Sequence, residues 1–310
     1  MITLVVPTRN RAAILARTAP SYFAQDLVDE VIVVDDAGTD ETAQVLEAVA
    51  AEHPGTALKV IRNETRLGAS QSRNVGAGLA RNPYILFCDD DELLEPGYAA
   101  TCLHKMQEHG ASIVSGRRVY MQAGETSEQA LARFGTGLRS TKPLRPLICE
   151  YVNGARFEGD LDVPFTNAVI LTRKDLLIQH PFDPYYARGN GYREETDYQM
   201  NLYTRGHRII VTNACHSLHL PLAEVSSGGQ RTGRLKRIYW SVHYTRYFFG
   251  KYYAAYATRQ GLRAPRWVAL SAFSAFAVYR AYLQPLLYPV ALALASRARR
   301  PGALPEAAGR

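Results

Sequence analysis

The stretch ILFCDDDELL, residues 85–94, decides how the first half of this chain is read. Ile85-Leu86-Phe87-Cys88 is a short unbroken apolar run, the pattern of a strand covered on both faces. It stops at four consecutive acids, Asp89, Asp90, Asp91 and Glu92, before Leu93 and Leu94. Like charges in a row repel unless water or a positive partner surrounds them. One reading is a cap, since acids often close a strand and start the next helix. The other is that the acids hold a cation. On an extended chain, residues two apart point the same way, so Asp89 and Asp91 can approach one ion. Oxygen donors alone suit Mg or Mn.

The segments upstream repeat the design. Residues 2–6 are an apolar run stopped by Pro7, followed by the basic Thr8-Arg9-Asn10-Arg11 and a helical pattern over 12–24. Residues 30–34 form a second apolar strand ending at Asp35-Asp36. Gly38 supplies a turn, and Thr39 or Asp40 is the candidate N-cap of a helix over 41–52. A third strand over 58–61, a third helix over 72–80 after the Gly68 turn, and the strand 85–88 complete the series. Alternating strands and helices predict a parallel sheet with right-handed crossovers. Ligands of such sheets bind beyond the carboxyl ends of the strands. Thr8-Arg9-Asn10, Asp35-Asp36 and residues 89–91 all fall there, which favours a binding cleft over three unrelated caps.

Composition sets the outer bounds. With 310 residues, 47% hydrophobic and 21% charged, the chain reads as folded, either one large domain or one with an appendage. A net charge of +7 suits a phosphate-bearing small molecule, a membrane surface or a nucleic acid without choosing among them. Cys88, Cys102, Cys149 and Cys215 have neither CxxC nor zinc spacing and read as reduced thiols of a cytosolic protein. Residues 1–6 read as the first strand rather than as a signal peptide. Neither glycine-rich phosphate cradle is present: PTRNRA stands where G-x-G-x-x-G would follow the first strand, and no Walker A loop occurs. Carboxylates holding a divalent metal are the alternative means of neutralising a diphosphate.

Five stretches, VVPTRNR (5–11), VIVVDDAGTDET (31–42), LGASQSRNVGAGLA (67–80), ILFCDDDELL (85–94) and GYREETDYQMNLYTRGHRI (191–209), together resemble glycosyltransferase family 2 in order and spacing. Members are inverting, nucleotide-sugar-dependent enzymes of the GT-A fold, and the resemblance runs from residue 1 to about 220. It implies an α/β fold with a mostly parallel sheet flanked by helices. A catalytic domain would occupy 1–230, with a nucleotide-binding half over 1–100 and an acceptor and catalytic half over 101–230. A helical, aromatic-rich extension would follow over 231–310. By the same resemblance Pro7, Thr8 and Arg9 line the nucleoside pocket, and Asp36 holds the base with Asp35 beside it. Which of the two makes the main contact stays open. Arg73 either reaches the diphosphate or pairs with nearby acids. Asp89 and Asp91 become the ends of a D-x-D metal motif, Asp90 faces the ribose, and Glu92 is solvated. His216 or His219 would add to the metal or the diphosphate. The loop 188–191 and the segment 226–231 read as mobile covers.

Glu194-Glu195-Thr196-Asp197 has a bland reading as acids favoured by a helix dipole. The resemblance puts the catalytic base at Glu195, with Asp197 in reserve. The base takes the acceptor hydroxyl's proton while the metal-held diphosphate leaves from the opposite face.

Beyond residue 230 the composition turns basic and aromatic, with Tyr239, Trp240, Tyr244, Phe248, Phe249, Tyr252, Tyr253 and Tyr256, then apolar over 267–294 with Arg280 in its middle. A membrane span needs about 20 uninterrupted apolar residues. Peripheral contact with a membrane surface is therefore preferred, with packing on the catalytic core as the alternative. No nucleic-acid motif accompanies the basic residues. Arg117, Arg118 and Arg156 are the candidates for meeting an anionic acceptor. The expected activity is inverting transfer from a nucleoside-diphosphate sugar to a saccharide or lipid-linked saccharide. It would serve surface polysaccharide or glycolipid synthesis, in the cytoplasm or at the inner face of the cell membrane. Two alternatives stand beside it: a sugar-nucleotide pyrophosphorylase, disfavoured because the glycine-rich loop it needs after the first strand is missing, and a non-catalytic nucleotide-binding relative.

Overall fold

In the computed structural model, which describes residues 1–134, 142–153, 155–225 and 233–287, one mixed sheet organises the chain. Strands β1 (Ile2–Thr8), β2 (Val28–Asp35), β3 (Ala57–Arg62) and β4 (Tyr84–Phe87) alternate with helices α1 (Ala12–Phe23), α2 (Thr42–Ala51) and α3 (Ala69–Leu79). They pair in parallel in the order β3-β2-β1-β4. Every residue of β1 is buried, as its unbroken apolar run requires of a strand with helices on both sides. Gly76 lets α3 lie close on that strand; a Cβ there would stand 2.4 Å from Val5 Cγ1.

The chain continues through β5 (Glu92–Leu94), α4 (Tyr98–His109), β6 (Ile113–Tyr120), α5 (Ser127–Phe134), the small pair β7 (Leu144–Arg145) and β8 (Glu150–Tyr151), and β9 (Asp160–Asp162). Then come β10 (Ile170–Arg173), α6 (Lys174–Gln179), α7 (Glu194–Thr204), β11 (Ile209–His219), α8 (Arg234–Arg259) and α9 (Arg266–Val278). The sheet is completed in the order β4-β10-β6-β11-β5, with β10 antiparallel to both neighbours. β6 and β10 escape a reading by periodicity because they are buried inside the sheet and carry no alternation.

Register builds the cleft. Thr8 pairs with Asp35 and Val5 with Phe87, so the carboxyl ends of β1, β2 and β4 lie nearly level. The acidic turn then folds back as β5, which pairs antiparallel with β11 and sets His219 opposite Glu92. Two residues of α1 hold the turn from below. The buried Tyr22 hydroxyl donates to the carbonyls of Glu92 and Asp89, 2.8 and 3.0 Å away, and Thr18 Oγ1 donates to the Asp90 carbonyl at 2.9 Å. Asp40, read as a cap for α2, also reaches across to accept from the Ala12 N–H at the start of α1. All four cysteines are buried and none forms a disulfide.

The aromatic helix α8 packs against the catalytic part of the chain. Phe248, Phe249, Tyr252, Tyr253 and Tyr256 are buried in one cluster with Phe165 and Met200 of the catalytic part and Ala269 of α9. The alternative, packing on the core, is what α8 does. No described helix is long and apolar enough to cross a membrane.

Candidate functional site

A cleft of about 270 Å³ opens at the carboxyl ends of β1, β2 and β4. Pro7, Thr8, Arg9, Asp36, Arg73, Asp89, Asp90, Asp91, Glu195 and His219 all line it. Asp35, Asp197 and His216, among the others singled out from the sequence, do not. Asp36 reaches the cleft while tying down the turn before α3, accepting from the N–H groups of Leu67 (2.7 Å) and Gly68 (2.9 Å) and from Asn63 Nδ2 (3.0 Å). Asp35 instead accepts from the Gly38 N–H, and its burial raises its carboxyl above the ordinary value.

Three arginines thread the acids together. Arg73, 1% exposed, places Nη1 2.6 Å from Glu194 Oε1 and Nη2 2.7 Å from Asp89 Oδ1. Arg118 reaches the other Asp89 oxygen at 2.9 Å and puts Nε 2.6 Å from Glu92 Oε1. Arg11 lies 2.9 Å from Asp91 and 3.3 Å from Asp90, whose other oxygen accepts from Thr8 Oγ1 at 2.7 Å. Glu92 is fully buried, so the expectation of a solvated side chain is wrong: pairing of β5 with β11 turns it inward.

Six carboxyl groups (Asp89, Asp90, Asp91, Glu92, Glu194 and Glu195) thus surround three guanidiniums. Burial makes the surplus negative charge costly. It pushes Asp90 up to about 7 and both Glu92 and Glu194 up to about 8, against the pull of their arginines. Burial would raise Asp89 too, but Arg73 and Arg118 hold it below its ordinary value.

The His219 ring shows where a further cation fits. Its Nδ1 lies 2.6 Å from the Leu220 carbonyl, which can only accept, so Nδ1 carries the proton. Burial lowers the ring's pKa despite Asp91, favouring the neutral form. The Nε2 lone pair then faces Asp91 Oδ1 across 3.6 Å, one acceptor opposite another. Ligand atoms of Asp91, Glu92 and His219 all lie within 4.8 Å of one another. This N and O donor set suits a divalent ion such as Mn or Mg. Both Asp89 oxygens are engaged by arginines, so the cation-ready corner is Asp91 with His219. His216 is turned away, its Nδ1 2.9 Å from Glu95 Oε2.

Helix α7 starts at Glu194, so the whole second acidic group lies in its first turn, which settles the group's geometry. Residues of a helix turn by about 100° each, so Glu195 and Asp197 point about 200° apart. Asp197 is 2% exposed and accepts from Tyr186 Oη, Tyr252 Oη and Lys251 Nζ. It ties α7 to α8 and does not meet the cleft. Glu195 does, with its side chain 25% exposed and Oε1 3.6 Å from Arg73 Nη2. Burial raises its carboxyl, Arg73 opposes the rise, and Asp89 adds to it.

Glu195 also lines a second cavity of about 340 Å³, shared with Arg118, Tyr151, Asn167 and Tyr192. Arg193 anchors this corner. Its backbone is left-handed (φ 76°), an uncommon state for a non-glycine residue, and its buried guanidinium donates to Thr245 Oγ1 and to the carbonyls of Cys149 and Ile148. Sequence reasoning did not single out Arg11, Tyr192, Arg193 or Glu194, although each adjoins or lies within a quoted motif.

The arginines proposed for an anionic acceptor are otherwise engaged. Arg118 belongs to the acid cluster, Arg117 stacks 4.4 Å over Phe134 and donates to Asn213, and Arg156 lies 5.9 Å over the same ring. The 188–191 loop does not cover the cleft. Gly189 packs against Trp240, where a Cβ would sit 2.3 Å from the indole, and Tyr244 Oη donates to the Arg188 carbonyl. The other proposed cover, 226–231, lies outside the described residues.

The fold and the acidic turn after β4 define the class, the GT-A glycosyltransferase architecture. Mannosyltransferase PcManGT from Pyrobaculum calidifontis, solved with GDP-Man and Mn2+, superposes with a TM-score of 0.55 over 98% of this chain and 76% of its own, at 19% identity. The profile of Glycosyl transferase family 2 matches residues 3–177, and the chain belongs to that family. Glycosyltransferase GlyG of Streptococcus pneumoniae serotype 4 is 28% identical over 117 residues, 37% of this chain and 38% of GlyG. The succinoglycan biosynthesis protein ExoU of Rhizobium meliloti is 26% identical over 243 residues, 77% of this chain and 67% of ExoU. The matched part of this chain therefore spans well under half of GlyG's length.

Proposed function

We propose that the chain is an inverting glycosyltransferase that moves a sugar from a nucleoside-diphosphate sugar to a hydroxyl of a saccharide or lipid-linked saccharide. The observation that carries this reading is that Glu195 lines two cavities at once, the acidic cleft and its neighbour. The cleft takes the donor: Asp36, Thr8 and Arg9 face the nucleoside, and Arg9 and Arg66 add positive charge for the diphosphate. The neighbouring cavity takes the acceptor, so its hydroxyl meets the donor's anomeric carbon at Glu195. The ionised Glu195 accepts the hydroxyl proton, and attack from the face opposite the leaving group inverts the anomeric centre. Arg73 fixes the two halves of the site by pairing with Asp89 on one side and Glu194 on the other.

A divalent ion, Mn or Mg, would be held by Asp91 and His219 with the acids beside them, and would supply charge neutralisation for the departing diphosphate. The Mn2+ and GDP-Man in PcManGT support both the metal and the donor class. The name of ExoU supports a role in surface polysaccharide synthesis. In this reading residues 1–230 are the catalytic unit, and within 231–310 the helices α8 and α9 buttress it. Apolar residues exposed after α9 would touch the inner face of the cell membrane.

Calorimetric titration with UDP, GDP and dTDP, each with Mn, with Mg and with chelator, tests the reading. One nucleotide should bind with metal, and chelator or Asp91→Asn should weaken it at least about tenfold. Absence of binding by all three nucleotides defeats the donor assignment. Binding indifferent to metal defeats the role given to Asp91 and His219.

A further inference from the structure

The cavity beyond Glu195 has a neighbour on the far side of Tyr192. Asn190 and Tyr192 also line a third cavity of about 310 Å³ between α8 and α9. Its walls carry Arg237 from the first turn of α8 and Arg280 from the segment after α9, together with Phe273 and Phe276, and no aspartate or glutamate among the described residues lines it. Glu150 lines the second cavity and is held by Arg280 Nη1 at 2.7 Å and by the Tyr192 hydroxyl at 2.9 Å. Among the described residues, no carboxylate pairs with Arg237.

Two guanidiniums lining one cavity, Arg280 lying 5.7 Å over the Phe276 ring and Arg237 with no carboxylate partner among the described residues, are chemistry for a phosphate or diphosphate group. The segment that supplies Arg280 adds a second property. Its Ala277, Arg280, Ala281 and Gln284 face the cavity, while Tyr279, Leu283, Leu286 and Leu287 beside them are 39–70% exposed. A row of exposed large apolar side chains next to an anion site marks a surface for an amphiphile.

We propose that this cavity binds the phosphate group of a lipid-linked acceptor. The phosphates rest on Arg237 and Arg280, and the lipid lies along Tyr279, Leu283 and Leu286. The attached saccharide extends past Tyr192 toward Glu195. The acceptor anion competes with Glu150 for Arg280, which frees Tyr192 at the passage between the cavities. The assignment moves the anion site away from Arg117, Arg118 and Arg156, whose guanidiniums are engaged elsewhere. It rests on the glycosyl-transfer reading, which supplies the reason for a saccharide at Glu195.

The test is calorimetry on the full chain in chelator, with farnesyl diphosphate, inorganic diphosphate and farnesol as probes. Farnesyl diphosphate should bind at least about tenfold more tightly than either fragment, because each provides only one of the two contacts. Arg237→Glu and Leu283→Asp, both at exposed positions, should each weaken it by about tenfold or more. Binding unchanged in Arg237→Glu overturns the proposal. Equal affinity for inorganic and farnesyl diphosphate overturns the lipid assignment in favour of a free-phosphate site. Metal-dependent nucleotide binding should be the same in Arg237→Glu as in the wild type. A wild type that binds farnesyl diphosphate but no nucleotide would refute the glycosyl-transfer reading while leaving the anion site standing.

Discussion

Replacing Glu195 by glutamine should separate catalysis from folding and from donor binding. The side chain keeps its size and loses only its capacity to take a proton. Glu195 lies 3.6 Å from Arg73, outside hydrogen-bond range, while Arg73 keeps Glu194 at 2.6 Å and Asp89 at 2.7 Å. The buried guanidinium therefore retains two carboxyl partners, and stability should change by less than about 1 kcal/mol. Catalysis should change far more. A positioned general base contributes about 10²–10⁴-fold, which is about 2.7–5.4 kcal/mol of barrier at about 1.36 kcal/mol per decade. The expected outcome is a kcat lowered by that factor with the nucleotide Kd within about threefold of wild type. The assay is release of nucleoside diphosphate during transfer, beside thermal unfolding of both proteins. The pH profile adds an independent check. A base works only when ionised, and burial holds the Glu195 carboxyl above the ordinary 4.5. The wild-type kcat/KM should therefore rise with pH through a value above 4.5, and this limb should be missing in the variant. A variant retaining more than a tenth of wild-type kcat would refute the assignment of the base.

Three further perturbations test the surrounding geometry. His219→Ala should weaken Mn-supported nucleotide binding by about tenfold or more, whereas His216→Ala, which removes only a contact with Glu95, should leave it nearly unchanged; equal effects in titration would remove the distinction between them. Arg193→Met abolishes donations to Thr245 and to two buried carbonyls, so a loss of at least about 2 kcal/mol in urea unfolding is expected together with a lowered kcat, and Arg193→Lys should recover part of both. Gly76→Ala drives a Cβ to 2.4 Å from Val5 and should cost about 1–3 kcal/mol. Gly78→Ala, two residues along the same helix with nothing within 4 Å, should instead be neutral or stabilising by up to about 1 kcal/mol.

Much of the first hundred residues is legible from local pattern. Apolar runs at 2–6, 30–34 and 85–88 become β1, β2 and β4 within a few residues, because a strand buried on both faces leaves an unbroken apolar signature. The polar residues that end those runs then have to lie together, since parallel strands in register bring their carboxyl ends level. The acidic cleft is in that sense written into the sequence. The choice within it is not. Asp197 and Glu195 look equivalent in EETD, and only the start of α7 at Glu194 sends one into the α8 interface and the other into the cleft. His216 and His219 look equivalent in HSLH until the β5–β11 register seats His219 beside Asp91. Five aromatics of α8, Phe248, Phe249, Tyr252, Tyr253 and Tyr256, turn inward because Phe165 and Met200 give them an apolar surface to cover. Local pattern settles which segments become strands and helices, because it records neighbours a few residues apart. Tertiary structure alone settles which charges meet, as when Arg73 reaches Glu194 across 121 residues, because ion pairs form wherever the packed elements bring opposite charges within a few ångströms.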